Sequence, residues 1–200
     1  MTNHNLNLRN ILFLFVLIFA VIGLWASFVI TLDKIELLKN PDYIPPCNIN
    51  PLFSCKTVMN TEYAEMFGFP NTIIGLVGYT VMITVSVFML FQGKVNRWLL
   101  IFANLGCLIS FSFSYLLTWL SMYKIGALCP YCLLSCFAAT NMFFTFLVVS
   151  LKDNIFNLKH DVNHKIQKLI DKKLYIPIII LWNVGVVLWI ILKFPNVLFF

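Results

Sequence analysis

Read from the first residue, the chain is a series of long apolar runs separated by shorter polar stretches. Apolar runs of eighteen or more residues with few charges are long enough to cross a bilayer as helices. Five occur, at Ile11–Leu32, Thr72–Phe91, Trp98–Met122, Tyr131–Leu151 and Tyr175–Leu192. The first run is too long for the apolar region of a signal peptide, and no small-x-small cleavage site follows before Asp33, so it reads as a retained anchor. The polar stretches differ in kind. Met1–Asn10 is a short leader, and Gly93–Arg97 is a tight basic turn. Lys152–Leu174 mixes charges with Ile155, Phe156, Ile166 and Ile170, the pattern of a surface helix on the inner leaflet. Asp33–Pro70 is the one long external segment.

That segment opens on Asn40-Pro41-Asp42-Tyr43-Ile44-Pro45-Pro46, which cannot be helical through its prolines. Further on, Met59, Tyr63, Met66 and Phe67 recur at helical spacing with Glu62 and Glu65 on the other side. The spacing predicts a short amphipathic helix over Thr57–Phe67, lying along the interface. Phe67-Gly68-Phe69-Pro70-Asn71 then leads into the second span, with Asn71 placed to cap it.

Composition turns the pattern into a class. The 200 residues are 60% hydrophobic and 11% charged, with a mean hydropathy of +0.89. A soluble domain of this size could not cover so much apolar surface, so the bilayer is the solvent. The expectation is a single all-α integral membrane domain over residues 1–200, without repeats.

Charge then sets orientation. With five spans, one side receives Arg9, Lys94, Arg97, Lys152, Lys159, Lys165, Lys168, Lys172 and Lys173 against three acidic residues. The other side receives Lys34, Lys39, Lys56, Lys124 and Lys193 against five. The whole formal surplus of +6 therefore lies on one face, which is cytoplasmic by the positive-inside rule. The basic balance reports topology and lipid contact, and nucleic acid is not expected as a partner.

Six cysteines carry the candidate chemistry. Cys47, Cys55, Cys129 and Cys132 fall on the non-cytoplasmic face, in a compartment that permits disulfides. Cys107 lies within a span and reads as a small packing residue, while Cys136 shares a helix face with Cys132 at i, i+4. Zinc is not expected: seven residues separate Cys47 from Cys55, and His4, His160 and His164 map to the opposite face.

In Cys129-Pro130-Tyr131-Cys132, proline fits the first helical position because its missing N–H would have had no partner there. Both sulfurs then lie in the first turn of a helix, where free N–H groups and the positive dipole end favour thiolate. Two external pairs suggest a relay in which a thiolate of one attacks the disulfide of the other and two electrons move. The alternative is a single structural staple, Cys47–Cys55, with Cys129 and Cys132 as bystanders in a non-catalytic scaffold or transporter subunit.

The order Cys47…Ser54-Cys55, then Phe67-Gly68-Phe69-Pro70-Asn71-Thr72-Ile73-Ile74-Gly75, then Cys129-Pro130-Tyr131-Cys132 resembles the vitamin K epoxide reductase family, its prokaryotic branch above all. The resemblance runs from the first span through the fourth. It implies a four-helix bundle around a quinone, joined here by a fifth transmembrane helix, with the external loop and its short helix folded over the quinone as a lid. It assigns Cys132 to the quinone, Cys129 to exchange with Cys55, Cys47 to a thioredoxin-like partner, and Asn71 to a hydrogen bond with the quinone. Thr61 stands where the family often has serine, and Cys136 where animal members have tyrosine.

The function implied is a membrane thiol–disulfide oxidoreductase that supports disulfide formation. Its electrons would run from the partner through Cys47/Cys55 and Cys129/Cys132 to menaquinone, ubiquinone or phylloquinone. The expected setting is a bacterial inner membrane with the site facing the periplasm or exterior. Many bacterial relatives carry a fused thioredoxin-like domain after the fifth span; with Phe200 as the last residue, a separate partner protein is expected. The runner-up is the same relay run to reduce a quinone or vitamin K epoxide at the expense of an external dithiol.

Overall fold

A computed structural model describes residues 3–91 and 96–195. The turn residue Lys94 lies outside them. Seven helices follow in chain order: α1 (Asn3–Lys39), α2 (Cys55–Met59), α3 (Thr72–Leu90), α4 (Arg97–Leu120), α5 (Pro130–Lys152), α6 (His160–Asp171) and α7 (Tyr175–Lys193). Five of them, α1, α3, α4, α5 and α7, are long and apolar enough to span a membrane. The protein is an all-α membrane protein, as the hydropathy pattern predicts.

Apolar helices gain nothing from hydrophobic burial against each other in lipid, so close packing and interhelical hydrogen bonds must hold them. The central helix α1 packs on α3 and α5, and α5 packs on α4. Along α1, Phe13, Val16 and Ala20 are buried, and Phe13 meets Phe146 of α5 edge to face at 6.2 Å. Small residues then let α3 approach: the Tyr79 ring lies over Gly23, where any Cβ would collide with it, and the Ser27 hydroxyl faces Gly75. Near the lid end, the Thr31 hydroxyl donates to the Thr72 hydroxyl at 2.8 Å.

At the opposite end, the expected surface helix is α6. It buries Ile170 and donates from Gln167 Nε2 to the last carbonyls of α5, Lys152 at 3.0 Å and Leu151 at 3.2 Å. The fifth span, α7, has no buried residue. It is tied on by polar side chains: Trp182 Nε1 donates to Tyr115 Oη at 2.8 Å, and the amides of Asn141 and Asn183 exchange two bonds of 3.2–3.3 Å.

The structure departs from the sequence reading at the lid end. The α1 helix continues past Leu32 to Lys39, which buries Asp33 and Lys34 at 6% and 9% exposure instead of leaving them as flanking charges. The helix expected over Thr57–Phe67 is broken. It consists of α2 and a separate 3-10 turn at Glu62–Glu65, parted at Asn60 and Thr61. The cause is a tether: the Asn71 N–H donates to Ala64 O at 2.9 Å, which folds the segment back across the bundle mouth where a straight helix would lead away.

Candidate active site

Two segments distant in sequence are stitched together above α1. On the loop side, Asn50 Oδ1 accepts from the N–H groups of Leu52 at 3.0 Å and Phe53 at 2.7 Å, an Asx turn that replaces backbone pairing. Ser54 caps α2, its hydroxyl accepting from Thr57 N at 3.2 Å, so Cys55 begins the helix. On the other side, α4 ends in a wide π turn at Ser121–Ile125. Gly126 follows at φ +74°, a left-handed conformation that a residue without Cβ reaches at no steric cost. That reversal delivers Ala127 and Leu128 alongside the loop. Leu128 N donates to Leu52 O at 2.7 Å, and Ser54 N donates to Leu128 O at 3.0 Å. This pair of bonds fixes the residues that follow, Cys55 and Cys129, against each other.

Cys47 and Cys55 form a disulfide, and Cys129 and Cys132 are free thiols. Cys55 Sγ lies 3.3 Å from Cys129 Sγ, and Cys55 and Cys129 are both almost fully buried. Reacting atoms held about 3–3.5 Å apart are in near-attack range. Cys129 is the N-cap residue of α5 with Pro130 at the first helical position, and its sulfur accepts from Cys132 N at 3.3 Å. The hydrogen bond from the Cys132 thiol, helped by the N–H groups of Cys132 and Tyr131, holds the Cys129 thiol below its ordinary pKa although burial pushes it up. A lowered pKa makes Cys129 a better leaving group in disulfide exchange.

Beneath the sulfurs is a cavity of about 650 Å³, lined by Cys129, Cys132, Asn71, Tyr79, Phe67 and Phe113 among others. Tyr79 Oη donates to Ser135 O at 2.8 Å, which fixes its ring in the wall. Of the aromatic side chains near the mouth, Phe67, Phe69 and Tyr79 line this space. Cys107 is buried against Met82, and Cys136, although buried one turn below Cys132, is not part of the lining.

Asn71 is corrected in one respect. Its side chain makes no capping hydrogen bond, because it takes up helical dihedrals and turns to the lid instead, donating from Nδ2 to Tyr63 O at 2.7 Å. Its Oδ1 is buried without a partner among the described residues, and Asn71 is one of the residues that line the cavity. A polar atom left so is costly unless a ligand completes it.

Sequence reasoning missed Asp33 and Lys34. Lys34 Nζ donates to Met59 O at 2.8 Å and pairs with Glu65 at 2.9 Å, latching α1 to both halves of the lid. Asp33 accepts from Tyr43 Oη at 2.9 Å, and its other oxygen lies 4.0 Å from Cys47 Sγ. The only sequence signal was that these are the first charges after the first apolar run. The loop pair is closed off from solvent, since Cys47 is only 5% exposed. Among the described residues, no group of three or more His, Cys, Asp or Glu side chains could hold a metal ion.

Residues 14–147 match the family model described as the vitamin K epoxide reductase family. The chain belongs to that family. No curated protein matches it. The matched segment contains most of α1, all of α3 and α4 and most of α5, with the four cysteines at issue; α6 and α7 lie beyond it. As a vitamin K epoxide reductase family member, the protein is a membrane oxidoreductase working by thiol–disulfide chemistry. Of the two free thiols of this pair, Cys129 is the one that lies against the loop disulfide, 3.3 Å from Cys55 Sγ.

Proposed function

We propose that the protein passes electron pairs from a thioredoxin-like dithiol protein on the outer face to a membrane quinone, and so renews a donor of disulfide bonds. The 3.3 Å approach of Cys55 to Cys129 carries this reading, with Cys132 on the wall of the cavity below. A partner thiolate attacks Cys47, Cys55 leaves as thiolate, and the partner's second thiol takes its own sulfur back from Cys47. Ile44 and Ile49, exposed on either side of Cys47, offer the partner an apolar seat. Because Cys47 itself is buried, the loop around it must yield first.

Cys55 thiolate then attacks Cys129 of an oxidised Cys129–Cys132 pair and Cys132 leaves. Cys47 next attacks Cys55, re-forming Cys47–Cys55 and releasing Cys129. The arrangement observed, an oxidised loop beside reduced Cys129 and Cys132, is the product of that step. When bound, the quinone takes up two electrons and two protons and leaves as quinol. Cys132, facing the cavity, is the residue that presents electrons to it. The unpartnered Asn71 Oδ1 suits a quinol hydroxyl, and the second Nδ2 hydrogen suits a quinone carbonyl; such a bond counts for more in a low-dielectric wall than in water. The apolar surroundings suit the ring and tail. The positive-inside distribution supports a bacterial inner membrane with this site on the periplasmic side.

The test is Cys132→Ser in proteoliposomes with a thioredoxin-like dithiol substrate and, in parallel, menaquinone, ubiquinone and vitamin K epoxide. Quinone-dependent oxidation is expected to vanish, and its persistence would refute the relay. Turnover of the epoxide alone would favour the runner-up, the same relay run for the quinone's benefit.

A further inference from the structure

Thiol exchange needs a proton handled each time a thiol attacks, and closing the loop disulfide requires one such transfer. Cys47 must lose its proton to attack Cys55, yet it is buried away from water. One ionisable oxygen faces it: Asp33 Oδ2, 4.0 Å from Cys47 Sγ, a distance an S–H···O hydrogen bond can span when Cys47 is reduced. Asp33 is itself 94% buried by its 6% exposure, and its Oδ1 is fixed by Tyr43 Oη at 2.9 Å, so Oδ2 is held toward the sulfur.

We propose that Asp33 is the proton acceptor for Cys47 in the step that closes the loop disulfide. The proposal rests on the relay reading. In the step, the Cys47 thiol gives its proton to the Asp33 carboxylate and its electron pair to a new bond with Cys55. The Cys55–Cys129 bond breaks, and its pair leaves on Cys129, which becomes a thiolate. Cys47 is oxidised and Cys129 reduced, and the proton on Asp33 passes on to water when the loop next opens. The structure is laid out as the product: Cys47 bonded to Cys55, Cys129 still 3.3 Å away, and the carboxylate beside the sulfur that lost the proton.

The groups around the carboxylate are consistent with this role. Tyr43 donates to it from the loop, and Glu36 lies one helical turn along α1 near Tyr43. Cys129 of the α5 N-terminus is within reach of its charge. The neighbouring Lys34 is engaged by Met59 and Glu65, and Lys56 by Pro41 O; among the described residues, no cation forms an ion pair with Asp33.

The experiment follows turnover in proteoliposomes with dithiothreitol as reductant and a short-chain naphthoquinone as acceptor. Acid quenching, alkylation and peptide mapping then give the fraction of chains linked Cys55–Cys129. General-base assistance contributes roughly 10²–10⁴-fold. Asp33→Asn is therefore expected to slow closing at pH 7 by roughly a hundredfold or more, to accumulate the Cys55–Cys129 species, and to recover as pH nears ~8.5, where a thiol ionises unaided. Glu36→Gln, which removes an exposed charge one helical turn away and leaves Asp33 and its Tyr43 bond in place, should stay within a few-fold of wild type.

An Asp33→Asn closing rate equal to wild type, a deficit unchanged by pH, or an equal deficit in Glu36→Gln overturns the proposal. Wild type supplies a measurement independent of folding in the variant. Unaided thiol ionisation makes its closing rate climb about tenfold per pH unit from about pH 6 to 8, and that climb also overturns the proposal; a much shallower rise is the expected result. Wild type that neither oxidises dithiothreitol with the quinone nor forms the Cys55–Cys129 species overturns the relay itself, and this inference with it.

Discussion

Replacing Lys34 by methionine tests how the lid is held. Methionine keeps an unbranched apolar stem in the same space and removes the ammonium, so packing is largely preserved. Two interactions disappear. The first is the 2.8 Å bond to Met59 O, which is buried; a hydrogen bond to a charged group contributes about 1.5–3 kcal/mol, and its removal leaves the carbonyl without a partner. The second is the 2.9 Å ion pair with Glu65, whose side chain is 39% exposed, so solvent screening limits it to about 0.2–1 kcal/mol. Together the change costs the closed lid roughly 2–4 kcal/mol, and at 1.4 kcal/mol per factor of ten the open population rises about twentyfold to several-hundredfold.

Amide hydrogen exchange reads this directly at Thr61, Ala64 and Asn71, whose N–H groups donate to Val58, Thr61 and Ala64 within the lid. Protection at these sites should fall by about that factor while the buried middle of α5 keeps its own. Glu65→Gln is the control and should lower protection no more than about fivefold. The reasoning is refuted if Lys34→Met exchanges like wild type, or if Glu65→Gln costs as much as Lys34→Met, because the exposed ion pair and not the buried carbonyl bond would then be the latch.

Other outcomes follow from the same geometry. Gly23→Ala places a methyl group inside the Tyr79 ring, and overpacking of this kind costs about 1–3 kcal/mol; thermal unfolding in detergent should show it, whereas Gly78→Ala, which meets nothing within 4 Å, should be nearly neutral. In a chain with Cys47 and Cys55 replaced by alanine, ultraviolet titration of the reduced pair should show a first ionisation below the ordinary ~8.5 of a free thiol. The sign follows from Cys129 being held below its usual value, so thiolate persists as pH falls through the ordinary range and is lost only below it; Cys129→Ser should abolish that early step. Asn71→Leu removes the Nδ2 bond to Tyr63 O and the free Oδ1 together, and should raise the quinone KM at least tenfold while Cys129 alkylation by a small reagent becomes faster. Asn183→Leu breaks a reciprocal amide pair between α5 and α7; intramembrane hydrogen bonds average about 0.6 kcal/mol, so stability should change by less than ~2 kcal/mol and thiol exchange should be unaffected.

Much of this protein is written in local order. The five spans and the shared side of the two cysteine pairs follow from hydropathy and charge, because a bilayer leaves a helix as the only way for an apolar segment to satisfy its backbone. The Pro130 start of α5 also follows, since a proline after Cys129 tolerates the first helical position and no later one. Cys47, Cys55, Cys129 and Cys132 could be singled out by their order along the chain alone.

What the sequence could not supply is whatever depends on a contact across long separation. A periodic stretch such as Thr57–Phe67 reads as one helix until Asn71, from the next element, draws it back across the cavity. Asn71 reads as a cap until its amide finds a better-placed acceptor in Tyr63. Asp33 and Lys34 read as charges at a membrane boundary; only the docked loop makes one a neighbour of Cys47 and the other a latch. The 3.3 Å approach of Cys55 to Cys129 spans 74 residues and rests on two backbone hydrogen bonds between Leu52, Ser54 and Leu128, a pairing that no side-chain pattern encodes. Local propensity and the solvent thus determined the helices and their direction, and packing across the bundle mouth decided where the sulfurs of Cys55 and Cys129 meet, because that position is set by backbone groups that every residue shares.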